Sequence, residues 1–223
     1  GAADSQLGTH WLWRQGQSSS STSTRPEAWW MRFDLFQQNV GALGGGSVDI
    51  MAGSNVTNLS AMLPSNGRTS QSGDLVVNAS GDLSVHAGGD IRGGQFMVMG
   101  GLGRIWAGGS LKEGDKPPKG TSDSVFYPIL HVADGQFSVS ARADARIETV
   151  LNPTVLMQAN SVYQGQTASS RSFFYTYTGD DRVSLTAVTG TAGLQGATRL
   201  QALFKNSQFP GSLPTSVVDD SGM

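Results

Sequence analysis

Gly81-Asp82-Leu83-Ser84-Val85-His86-Ala87-Gly88-Gly89-Asp90-Ile91 is the stretch whose reading decides the fold. Residues two apart on a strand share a face, so Leu83, Val85 and Ala87 point one way while Ser84 and His86 point the other. The inward set shrinks to Ala as the strand nears its end. A Gly pair follows, which permits positive φ and a tight bend. Then comes a short polar residue whose side chain can bond local backbone N–H groups, as in an Asx-turn. The unit recurs at Val48–Val56, Leu75–Leu83, Leu83–Ile91, Phe137–Ala145 and, in shorter or degenerate form, Ile105–Leu111 and Val183–Gly190. One such strand cannot bury its apolar face alone, but stacked copies can.

Short strands bent at Gly corners, with no helices between them, predict an all-β fold: a right-handed parallel β-helix with inserted loops. Each rung then needs three strands and three turns, roughly 20–25 residues when nothing is inserted. An antiparallel sandwich or barrel is the alternative. Asn66-Gly67 is a hairpin signal, but no hairpin turns separate the repeats. One short flanking helix is expected near residues 26–39. Thr24 would cap it, Pro26 sits in its first turn, and Trp29, Phe33, Phe36 and Val40 share a face. Ser18–Thr24 and Lys112–Thr121 read as loops, and Ser172–Thr178 as a strand. The division expected is a loop-rich opening segment (1–25), a β-helix repeat domain (26–205) and a polar connector (206–223).

The composition agrees. The 223 residues include 30 glycines and no cysteine, 14% are charged, and the net charge is −2. So small a net charge gives no pull toward nucleic acid or acidic membranes. Without cysteine there is no disulfide framework, thiolate zinc site or thiol nucleophile. No run of about 18 apolar residues is present to span a bilayer as a helix. The chain starts at Gly1 without a signal segment, and the expectation is a piece of a larger protein.

The chemistry-bearing residues are scattered. Asp82 and Asp90 sit at equivalent corners. They suggest either a carboxylate ladder for Ca²⁺ or polysaccharide cleavage, or plain Asx-turn chemistry, and the latter is preferred. Asp144 ends a related corner, and convergence of the three acids with a Lys or Arg in a cleft would point to an enzyme. Gly44-Gly45-Gly46-Ser47-Val48-Asp49 misses a glycine-rich calcium repeat by Ser47, and Gly100–Ile105 lacks its Asp. Asp180-Asp181 and Asp219-Asp220 are adjacent pairs whose members point to opposite faces. His10, His86 and His131 have no His partner at ligand spacing, and His86 is expected on the outside. Trp11, Trp13, Trp29 and Trp30 could stack on sugar rings or cover an open edge, and the covering role is preferred. Asn55, Asn58 and Asn78 match a glycosylation pattern that arises by chance in an Asn/Ser-rich chain. No catalytic, cofactor or metal residue is assigned, and the ligand-binding residues are unassigned too.

Gly81–Ile91 resembles the rungs of filamentous-haemagglutinin-like large exoproteins of Gram-negative bacteria. Trp29–Gly46, Ala61–Arg68, Glu148–Thr154 and Phe173–Tyr177 are similar to a C-terminal region of some members. Together the segments span roughly residues 27–195. The resemblance implies a β-helix exported by two-partner secretion and displayed on the cell surface as a non-enzymatic adhesin, without cofactors. The partners expected are surface glycans or proteins, plus an outer-membrane secretion partner reached through regions outside this chain. The alternatives are a β-helical lyase or hydrolase, and the stem of a contact-dependent toxin carrier.

Overall fold

The computed structural model describes residues 12–15, 28–31, 39–42, 45–69, 72, 75–115, 125–152 and 178–196. β1 (Leu12–Gln15) and β2 (Ala28–Met31) pair antiparallel as a separate ribbon. The chain then makes five circuits through three parallel sheets. β3 (Asn39–Gly41), β4 (Val48–Ala52) and β5 (Val56–Thr57) form the first circuit. β6 (Ser60–Leu63) opens the second, which carries an antiparallel insertion, β7 (Asn66–Thr69) with β8 (Leu75–Asn78). β9 (Leu83–Ala87) and β10 (Ile91–Arg92) complete it. The third is β11 (Gln95–Met99), β12 (Leu102–Ala107) and β13 (Leu111–Lys112). The fourth is β14 (Ile129–Ala133), β15 (Gln136–Ala141) and β16 (Ala145–Ile147). The fifth is β17 (Val150–Leu151), β18 (Arg182–Ala187) and β19 (Ala192–Leu194).

Each circuit visits the sheets in the same order. The first sheet is β3-β6-β11-β14-β17, the second β4-β9-β12-β15-β18, and the third β5-β10-β13-β16-β19. A bare circuit is 20 residues, the separation between the corner residues Asp82 and Leu102 and between Asp90 and Ser110. Insertions stretch the step to 35 between Asn55 and Asp90, 34 between Ser110 and Asp144, and 47 between Asp144 and Thr191. Excursions of unequal length therefore account for the irregular spacing of the sequence repeats.

The core lies between the sheets. Leu83, Val85, Ile105, Phe137 and Val139 meet Leu63, Phe96, Val98 and Leu130 from the first sheet and Ile91, Leu111 and Ile147 from the third. Ala52, Ala87, Ala107, Ala141 and Ala187 align as one row across the second sheet. The taper to Ala read from one repeat is thus repeated on every circuit. At the other end of these strands Gly103 lies beside Phe137, and a Cβ on Gly103 would run into the Phe137 ring. The missing side chain on one circuit leaves the volume that the aromatic ring of the next one fills.

Several expectations are corrected. Among the described residues there is no helix. Of residues 26–39, Ala28–Met31 form β2 and Asn39 begins β3. The aromatic pair Trp29-Trp30 suits a strand, and pairing with Leu12–Gln15 outweighs a helical face defined over little more than three turns. Leu75–Asn78 is an arm of the inserted hairpin and not a rung, although its pattern matches. Asn66-Gly67 does mark a hairpin, but it opens the first strand, with Asn66 opposite Asn78, and is not the turn. The corner glycines also act differently from expectation. Gly88 and Gly108 are not in the positive-φ region, which among the described glycines holds Gly45, Gly93, Gly94, Gly100 and Gly196. A Cβ on Gly108 would strike the carbonyl of Gly88, and one on Gly88 that of Gly53. Close stacking of successive corners, not left-handed backbone, demands glycine there. Of the loop expected over Lys112–Thr121, Lys112 instead ends β13, while 113–115 form no strand, and Thr178, the last residue of the expected strand Ser172–Thr178, is in none; the rest of both, the loop at 18–24 and the connector at 206–223 lie outside the described residues.

Candidate functional surface

The corner acids form a ladder between circuits. Asn55 Oδ1 accepts the N–H of Asp90 at 2.8 Å, and Asp90 Oδ1 accepts that of Ser110 at 2.9 Å. Ser110 Oγ then accepts the N–H of Asp144 at 3.2 Å, and Asp144 Oδ1 that of Thr191 at 2.8 Å. A corner N–H lies outside the sheet ladders and needs an acceptor, and the short polar side chain one circuit earlier supplies it. The expected local Asx-turn is replaced by this bond between circuits. A second corner starts the same way, with Ser47 Oγ accepting from Asp82 N–H (3.1 Å) and Asp82 Oδ1 from Leu102 N–H (3.0 Å). It stops at Leu102, which has no acceptor to offer.

The three acids singled out by sequence do not converge on one cleft. Asp90 is bonded by Lys112 Nζ at 2.7 Å and Asp82 faces Arg104 at 3.7 Å, each on its own corner. Burial works against the charged form of Asp90. The Lys112 and Ser110 hydrogen bonds and the nearby cations outweigh it and hold its carboxyl below the ordinary range. Asp144 is lowered by the backbone N–H and hydroxyl of Thr191. Asp181 accepts the N–H groups of Gly135 and Thr178, while its neighbour Asp180 is exposed. Asn58 takes a left-handed φ of 53° and bonds the carbonyl of Asp115. Trp13 lies opposite Trp30 in the β1–β2 ribbon. His10, Trp11, Gly44 and Asp219-Asp220 lie outside the described residues. Among the described residues no three His, Asp or Glu side chains group as metal ligands, and no helix is long and apolar enough to cross a membrane.

The histidines divide. His131 is buried; its Nε2 lies 2.9 Å from Gln95 Oε1, and Nδ1 has no hydrogen-bond partner. Burial pushes its pKa down to about 3, so it is neutral at pH 7. His86 is outside, as alternation predicts, and stacks on Trp106 with ring centroids 4.2 Å apart and planes tilted by 38°. Sequence reading concentrated on the N-terminal tryptophans and missed this pair. The signal was present: Trp106 follows inward Ile105, and one bare circuit places it beside His86.

His86 and Trp106 stand on the outer face of the second sheet. That face carries a row of Asp49, Ser84, Arg104, Ser138 and Ser184, and a parallel row of Met51, His86, Trp106, Ser140 and Thr186. It is open, with Met51 80% and Trp106 39% exposed. No protein-family model, curated protein or solved structure matches this chain. The fold and surface define a class only: a repeat protein of three parallel five-stranded sheets, one of which presents an exposed, mainly polar outer face.

Proposed function

We propose that the chain is a right-handed parallel β-helix forming a shaft and adhesion segment of a secreted, surface-exposed, haemagglutinin-like bacterial exoprotein. Its work is extension and contact, not turnover. The observation that carries this reading is the outer face of the second sheet: five aligned strands presenting hydroxyls, one aromatic pair and a few charges. Repeated weak contacts on such a surface add through multivalency. Asp82, Asp90 and Asp144 are engaged at corners, where each accepts a backbone N–H of the next circuit. The partners proposed are glycans or proteins on host or neighbouring cells, with export through an outer-membrane partner. The test is retention on cells. Beads coated with the 223-residue chain should bind epithelial or bacterial cells above albumin-coated beads, and retention equal to albumin would remove the adhesive role.

A further inference from the structure

The outer face of the second sheet is not uniform. Its last two circuits present mainly Ser, Thr and Gln, but the third circuit raises Trp106 with His86 against it. The indole leans along its own strand: a Cβ on Gly108 would come within 3.0 Å of Trp106 Cη2. Glycine at the corner therefore gives the ring room to lie over the sheet. On the side away from His86, the aligned residues of the next two circuits are Ser140 and Thr186, so the ring ends at a step down to hydroxyls. On the adjacent row Arg104 is exposed and faces Asp82 at 3.7 Å.

Within the three outward rows of this face the charges balance, and exposed Arg142 stands one residue past β15. Asp49 and Asp82 are its carboxylates and Arg104 and Arg182 its guanidinium groups, and all four are exposed. A face without net charge does not select a polyanion or a polycation. What it offers is one aromatic ledge, a row of hydroxyls, and a guanidinium–carboxylate pair supplying donors and acceptors together. That set matches a ring with an apolar C–H face and a polar hydroxyl rim.

Resting on the adhesive reading of this face, we infer that Trp106 and His86 form the stacking ledge of a subsite for a neutral polysaccharide. One pyranose ring lies against the indole, and its hydroxyls meet Arg104, Asp82 and the Ser138–Ser140 hydroxyls. The occupant is uncharged, so its binding is insensitive to salt.

The test titrates the whole chain with cellohexaose, chitohexaose and mannohexaose, reading the indole N–H resonance of Trp106, assigned by loss in Trp106→Phe. At least one hexaose is expected to shift that resonance saturably, with Kd changing less than about twofold between low and high salt. By calorimetry Trp106→Ala should weaken binding about tenfold or more and His86→Ala about threefold, with circular dichroism and melting unchanged. Absence of saturable binding by all three overturns the inference. Affinity unchanged in Trp106→Ala overturns it too, as does binding confined to a heparin hexasaccharide and abolished by salt. Cell retention of coated beads separates the two levels. Retention without hexaose binding sinks the subsite and leaves the adhesive reading, whereas hexaose binding without retention does the reverse.

Discussion

Two outward rows of this molecule carry the same kinds of residue and meet opposite fates. On the first sheet Met62, Met97 and His131 align on neighbouring strands, and all three are buried. On the second sheet Met51, His86 and Trp106 align the same way and are exposed. The first sheet is covered on both sides: β6, β11 and β14 are buried at every position. The second meets water on one side, and β9 and β12 alternate inside and outside. Residue type alone therefore does not assign an outward position to core or surface. What decides is how many faces of the sheet are covered.

The sharpest way to break the contrast is to place the same charge on both outer faces. Met97→Lys buries an unpaired ammonium and should cost more than about 3 kcal/mol or prevent folding. Ser138→Lys, outward on the second sheet, should stay within about 0.5 kcal/mol, and urea denaturation with equal outcomes for the two would erase the distinction.

Phe137→Ala, inside the stack, should cost about 3–5 kcal/mol by the same assay. Gly103 opposite it has no side chain with which to refill the space. A loss under 1 kcal/mol would mean that the ring does not fill that hole.

His131 makes the buried row sensitive to acid. Its folded pKa, about 3, lies below the unfolded value of 6.5. Between those limits the unfolded state binds a proton that the folded state does not. Stability should fall as pH drops through that window, by up to about 1.4 kcal/mol per pH unit, and the contribution is complete only above pH 6.5. His131→Gln should flatten that slope in denaturation midpoints taken from pH 7.5 to 4. A more modest loss is expected at a corner. Asp90→Ala orphans the Ser110 N–H and should cost about 1–3 kcal/mol. Asp90→Asn keeps an acceptor there and should recover most of that, because the partly exposed Lys112 pair is worth about 0–1 kcal/mol. Equal losses for the two variants would assign the stability to the ion pair instead of the ladder.

The contrast also explains what could be read in advance. Of the six repeat copies recognised, Val48, Leu83, Ile105, Phe137 and Val183 all begin in or fall on strands of the second sheet. Alternation is visible there because one face is wet. The first-sheet strands Gln95–Met99 and Ile129–Ala133 are near-continuous apolar runs, which carry no period of two and stayed unassigned. Leu75–Asn78 shows the opposite failure, since its Leu-Val-Val-Asn-Ala pattern fits a rung while its partner is an antiparallel neighbour. Pairing partners are not encoded in a single strand's pattern. The aromatic pair of the outer face was hidden for a related reason: His86 and Trp106 become neighbours only once the 20-residue circuit is known.

The corner ladder has a polarity. At each step from Asn55 to Thr191 the earlier circuit holds the side-chain acceptor and the later one brings the backbone donor. The backbone bonds beside it run the other way: the N–H groups of Val56, Ile91, Leu111 and Ala145 donate to the carbonyls of Asp90, Ser110, Asp144 and Thr191 on the circuit that follows. Each corner joint is thereby held by two bonds of opposite sense, one from a side-chain acceptor and one from a backbone acceptor, so that neither neighbouring circuit is only donor or only acceptor.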